Sequence, residues 1–146
     1  MKINKIYELI FKEIIKPKER QRKFEIDENL VLITPNGYVG FVLCKKETPF
    51  NLEMIQGENR KIDLLSIVKP ENRLIKTNHF VMLQKIGLLN VFRNSCRKVY
   101  INTKLLNYFE DYAEFYQEKE CELCVVVESG KIVGAVMPVR YTEERE

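Results

Sequence analysis

Cys121-Glu122-Leu123-Cys124 is a C-x-x-C, the spacing used both by zinc ligands and by dithiol redox pairs. A structural zinc site needs four converging thiolate or imidazole donors, and only Cys44, Cys96 and the lone His79 remain to complete one. None of the three sits at partner spacing. Redox pairs of this form open a helix, whose N-terminus stabilises the thiolate, whereas this motif runs into the apolar stretch Cys124-Val-Val-Val. In a strand, Cys121 and Cys124 would point to opposite faces. The four cysteines therefore read as reduced, partly buried thiols. His79 borders an apolar run with no Ser or Cys nucleophile tied to it. Glu110, Asp111 and Glu114 would share one helix surface and could meet a divalent ion, but oxygen-rich metal sites usually add loop carbonyls, so solvated carboxylates are expected. The six glycines are scattered, and none opens a helix after a strand as a phosphate loop requires. Neither an enzyme nor a bound metal or cofactor is expected.

Cations offer the remaining chemistry. Residues 1–23 hold eight Lys/Arg against three Glu, a net charge of +5, while residues 102–120 carry a net −3. The whole chain is only +3. Two helices of opposite sign would give a polar molecule with one basic face. Lys5, Lys12, Lys16, Lys18 and Arg20 are the candidate contacts to duplex DNA, through phosphates and without base reading.

The elements that would hold these residues follow from periodicity. Ile3, Ile6, Tyr7, Ile10, Phe11, Ile14 and Ile15 recur at helical spacing, so residues 3–16 form an amphipathic helix that Pro17 stops. Its stripe must pack on a sheet. Leu30–Thr34 and Tyr38–Cys44 are apolar runs across Asn36-Gly37, a hairpin signal. Residues 50–78 show no winning period and read as an irregular connection. His79–Ile86, Leu88–Arg93 and Lys98–Ile101 read as strands. Asn102 or Thr103 caps a second helix marked by Leu105, Leu106, Phe109, Tyr112, Ala113 and Tyr116 and ending near Glu118. Cys121–Glu128 and Lys131–Met137 pair across Ser129-Gly130. Both are apolar on both faces, as expected of central strands covered on each side or of a self-associating edge.

A chain of 146 residues, 45% hydrophobic and 31% charged, fits one globular domain, here residues 1–146. It contains no apolar run near the roughly 20 residues that a membrane span needs. Its start, with Glu8 and Glu13 inside an amphipathic stretch, does not read as a signal peptide. A cytoplasmic protein with no membrane partner is expected. The expected fold class is α+β: two helices packed on an antiparallel sheet, built from two β-α-β-β halves that echo each other from Ile3-Asn4 and from Ile101-Asn102.

The stretch Val133–Arg140, ending GAVMPVR, resembles the C-terminal end of bacterial DNA sliding clamps, the β subunits of the replicative polymerase. VYINTKLLNYF resembles the strand-to-helix entry of a clamp domain. The resemblance implies paired helices facing DNA, a sheet outside, and a hydrophobic pocket for replication-protein peptides bordered here by Met137, Pro138, Val139 and Arg140. It also implies a clamp-like accessory protein of a phage or mobile element. A clamp subunit repeats the domain three times, so a ring from this chain would need a homo-oligomer. The acidic second helix is the wrong sign for a DNA channel. A self-associating structural or regulatory domain without DNA contact is the other reading.

Overall fold

The computed structural model describes residues 1–15, 22–49, 51–55, 61–95 and 97–141. Helix α1 (Ile3–Ile15) opens the chain. Strands β1 (Arg22–Glu25), β2 (Leu30–Thr34) and β3 (Val39–Cys44) follow as a meander. Three 3₁₀ turns, Leu52–Met54, Leu65–Ile67 and Pro70–Asn72, lead into β4 (Arg73–Leu83). Then come β5 (Gly87–Asn94), β6 (Arg97–Asn102), the single helical turn α2 (Thr103–Leu106), β7 (Glu114–Tyr116), β8 (Cys124–Glu128) and β9 (Lys131–Val136).

All nine strands join one sheet in the order β1-β2-β3-β9-β8-β7-β4-β5-β6, and every strand-to-strand pairing is antiparallel. The segment leaving β9 returns to the far edge: Met137 N–H still donates to the Tyr38 carbonyl at 2.8 Å, then Val139 N–H donates to the Tyr100 carbonyl of β6 at 2.7 Å. Six strands, β9 round to β6, thus curl into an incomplete barrel, and an edge that would present unpaired backbone groups is partly covered.

One face of the sheet carries the main core. Ile6 and Ile10 of α1 are fully buried against Val31, Ile33 and Phe41, and the same core continues through Phe92, Ile101, Phe115 and Val126. The expected packing of the α1 stripe on a sheet is what forms, though Phe11 is left 55% exposed. The opposite face packs Leu32, Val42, Tyr116, Val125 and Val127 under Leu64 of the loop before β4. This explains why every residue of β8 is buried: it is a central strand, covered on both sides.

The hairpin turns form where expected. Ser129 (φ 51°) and Gly130 (φ 76°) both take positive φ between Glu128 and Lys131, as a two-residue turn requires. Between β2 and β3 the link is longer, with Asn36 Oδ1 accepting from the Tyr38 and Val39 N–H groups and only Gly37 at positive φ.

The second helix is a correction, and the α+β class with two packed helices and two β-α-β-β halves falls with it. Asn102 does cap a helix, accepting from Lys104 N–H at 2.9 Å, but that helix lasts four residues. Phe109 N–H reaches back only three residues, to the Leu106 carbonyl, and Glu110 N–H turns to the Glu128 carboxylate at 2.7 Å. The stretch is rich in Asn, Asp, Phe and Tyr, all poor helix formers. Its aromatic end is taken instead as β7, whose Phe115 pairs with both Leu74 and Val126. Without β7, backbone groups of β4 and β8 would be buried without partners. The molecule is a large antiparallel sheet with one substantial helix among the described residues.

Candidate nucleic-acid interface

Strands β4, β5 and β6 form a meander whose composition is unlike the rest of the chain. From Asn72 to Phe109 there are seven Lys/Arg (Arg73, Lys76, Lys85, Arg93, Arg97, Lys98, Lys104) and no Asp or Glu. The remaining residues hold 17 Lys/Arg against 21 Asp/Glu. A carboxylate-free stretch of this length is legible in the sequence, and it is a stronger charge signal than the basic first helix, which carries Glu8 and Glu13.

Strand register arranges these cations. Arg93 stands directly opposite Lys98, with Ile75 on the other side of Arg93, so an exposed row crosses the outer face. Like charges placed opposite each other in a ladder repel. Lys76 pairs with Phe92 at the rim of the inner face. Lys85 lies in the β4–β5 turn, and α2 brings Lys104 to that end: Asn102 Nδ2 donates to the Ile86 carbonyl at 3.2 Å and Thr103 Oγ1 to the Leu88 carbonyl at 3.0 Å. Lys76, Lys85, Arg93 and Lys104 are all exposed, and none pairs with a carboxylate among the described residues. Arg73 differs, lying 3.9 Å from Glu114, and Arg97 is half-buried with its guanidinium donating to the Gln117 carbonyl at 2.7 Å.

A bulge shapes the meander. Thr77, Asn78 and His79 of β4 stand opposite Val91 alone. Asn90, 1% exposed, donates through Nδ2 to the Thr77 carbonyl at 3.0 Å and the His79 carbonyl at 3.4 Å, and Thr77 Oγ1 donates to the Val91 carbonyl at 2.6 Å. His79 is therefore an exposed bulge residue held through its backbone. Beyond the bulge, Phe80, Met82 and Leu88 continue the inner face past the end of the core, 52%, 66% and 37% exposed.

The other candidate residues scatter. Lys5 is exposed on α1, and Lys12 pairs with Glu8 one turn away at 3.3 Å, so a carboxylate lies beside that cation. Lys16, Lys18 and Arg20 lie outside the described residues. Met137 lines a cleft of about 270 Å³ with Tyr38 and Leu123. Pro138, Val139 and Arg140 line a different crevice of about 40 Å³ beside Tyr100 and Cys121. Val139 packs with Leu89, Val91, Tyr100 and Tyr141.

Cys124 is buried and Cys121 is exposed in a turn at φ 64°. Burial pushes the Cys124 thiol up to about 12, only partly offset by the Arg97 charge, so it stays a neutral core thiol. Among the described residues no three His, Cys, Asp or Glu side chains gather as a metal site would require. Glu110, Asp111 and Glu114 do not share a helix surface: the first two lie in the link after α2, and Glu114 begins β7 and accepts from the Tyr116 hydroxyl at 2.7 Å. That hydrogen bond, with burial, raises the Tyr116 phenol. An apolar cleft of about 860 Å³ opens between α1 and the β8–β9 turn, lined by Ile3, Tyr7, Leu30, Ile62 and Ile132. No described helix is long and apolar enough to cross a membrane.

No family model, no curated protein and no solved structure matches this chain.

Proposed function

We propose that the chain is a non-enzymatic nucleic-acid-binding domain that holds the phosphate backbone on its β4–β6 meander. The observation that carries this reading is the run from Asn72 to Phe109, which has seven cations, no carboxylate and four exposed cations unpaired among the described residues. Such a surface repels itself unless a polyanion or its counterions are near, and releasing condensed counterions from nucleic acid drives association. The Lys5 and Lys12 contacts of α1 become secondary in this reading, because Glu8 already engages Lys12. The resemblance to sliding clamps at Met137–Arg140 adds a proposed peptide contact there, supported by the exposure of Met137 and Arg140.

The test is binding of a labelled duplex by fluorescence anisotropy at about 50 mM and about 200 mM salt, where several phosphate contacts predict a loss of orders of magnitude in affinity. Combining Lys76→Gln, Lys85→Gln and Lys104→Gln should weaken binding further than Lys5→Gln with Lys12→Gln. Absence of binding at low salt refutes the reading.

A further inference from the structure

We infer that the occupant of the meander is a single strand, with unstacked bases lying on the shelf formed by Phe80, Met82 and Leu88 while Lys76, Lys85 and Lys104 hold its phosphates. This deepens the proposed function and rests on it. A duplex presents phosphates and stacked base pairs, and its binding gives no use to an apolar strand face left open. Here three large apolar side chains share one face, more than a third exposed each, with Ile86 beside them at 42%. Cations surround that face, and no carboxylate lies within the run that forms it. A charged backbone carrying flat apolar rings is the chemistry that matches both features, and an exposed aromatic flanked by lysines is how single strands are held without sequence preference.

Two other occupants fit less well. A second copy of the chain would bring Lys76, Lys85 and Lys104 against the same three lysines, with no Asp or Glu from residues 72–109 to relieve them. A membrane would take the hairpin tip first, but the tip carries Gln84 and Lys85 beside the single apolar residue Ile86, and the larger apolar set Phe80, Met82 and Leu88 lies on one face of the strands behind it. The Asn90 hydrogen bonds across the bulge hold the shelf in place without any ligand, so its geometry is preformed.

The experiment measures anisotropy of the full chain with an oligothymidylate of about 20 nucleotides, longer than the roughly 4–16 that a small binding domain covers. A duplex of the same length and vesicles of phosphatidylserine and phosphatidylcholine are run alongside. The single strand should bind at least about ten-fold tighter than the duplex. Phe80→Ala with Met82→Ala, both at exposed positions, should cost the single strand about ten-fold, the effect of losing one stacked base, and leave the duplex unchanged. Lys85→Gln with Lys104→Gln should weaken both. If the alanine pair leaves single-strand binding intact, or lowers both forms equally, the shelf is not a stacking surface and only the phosphate reading survives. If vesicles are bound and neither nucleic acid is, both readings are overturned. Light scattering of the free chain closes the set: a dimer lost on Phe80→Ala with Met82→Ala would assign the shelf to self-association and overturn the inference.

Discussion

The buried side-chain amide of Asn90 donates to the Thr77 carbonyl at 3.0 Å across a bulge in which three residues of β4 face one of β5. Bulging frees backbone carbonyls that a regular ladder would pair, and Asn90 takes two of them, those of Thr77 and His79. Asn90→Ala leaves both without that donor and opens a small void, so it should cost roughly 2–3 kcal/mol. Urea unfolding measures it. Asn90→Asp, which supplies acceptors where donors are needed, should do no better.

Gly134 lies where β9 crosses β3 beneath an aromatic ring. A Cβ built there would sit 2.3 Å from the Gly40 carbonyl oxygen and 3.0 Å from the Phe109 ring. Backbone cannot yield as a flexible side chain can, so Gly134→Ala should lower stability by the top of the roughly 1–3 kcal/mol range for overpacking. The companion change Gly40→Ala is tight only against the ends of the Leu32 and Thr34 side chains at 3.0 Å, with the Ile33 carbonyl oxygen at an ordinary 3.5 Å, and should be milder.

The thiols should separate cleanly. Exposed Cys121 reacts with a thiol reagent in the native protein, and buried Cys124 only on unfolding. Below pH 9, the ordinary thiol value, both folded and unfolded chains keep the Cys124 proton; between 9 and about 12 the unfolded chain loses it and the folded chain does not. Unfolding then releases a proton, so stability falls as pH rises through that window. Cys124→Ala should flatten this alkaline decline. The raised Tyr108 and Tyr116 phenols add a decline of the same sign above pH 10, which the variant retains.

Val139 is a closure residue as much as a surface one, because its N–H completes the contact with β6 and its side chain packs with Tyr100 and Tyr141. Val139→Asp should therefore lower the unfolding midpoint, by about 1–3 kcal/mol from replacing an apolar side chain packed on Leu89, Val91 and Tyr100 with a carboxylate. Met137→Ala, at a 37% exposed position of the other cleft, should leave it unchanged. Any test of peptide capture at this end of the chain is best made with the Met137 variant.

Local pattern gave away α1, the hairpins at Asn36-Gly37 and Ser129-Gly130, and the double-faced burial of β8, because each depends on neighbours a few residues apart. Leu105 to Tyr116 misled because apolar residues at helical spacing were also aromatic residues suited to a strand. What decided between them was the gap between β4 and β8, a long-range feature. The start of β4 was hidden for the same reason: Arg73-Leu-Ile-Lys-Thr-Asn has no alternation, and its partners β5 and β7 make it a strand. The cations of the candidate site could be counted from sequence. Their common sheet could not, since Arg93 and Lys98 meet only through the β5–β6 register, and Lys104 comes to the Lys85 end of the meander through the Asn102 and Thr103 hydrogen bonds to Ile86 and Leu88.

The decisive measurement is the slope of log affinity against log salt for nucleic acid, taken for the wild-type chain, for Lys76→Gln with Lys85→Gln, and for Lys5→Gln with Lys12→Gln. If the meander grips phosphates, the first pair should shallow the slope by about 0.7–0.9 for each contact removed, and the helix pair should barely move it. An unchanged slope in the meander variant, or a larger change in the helix variant, would contradict the account.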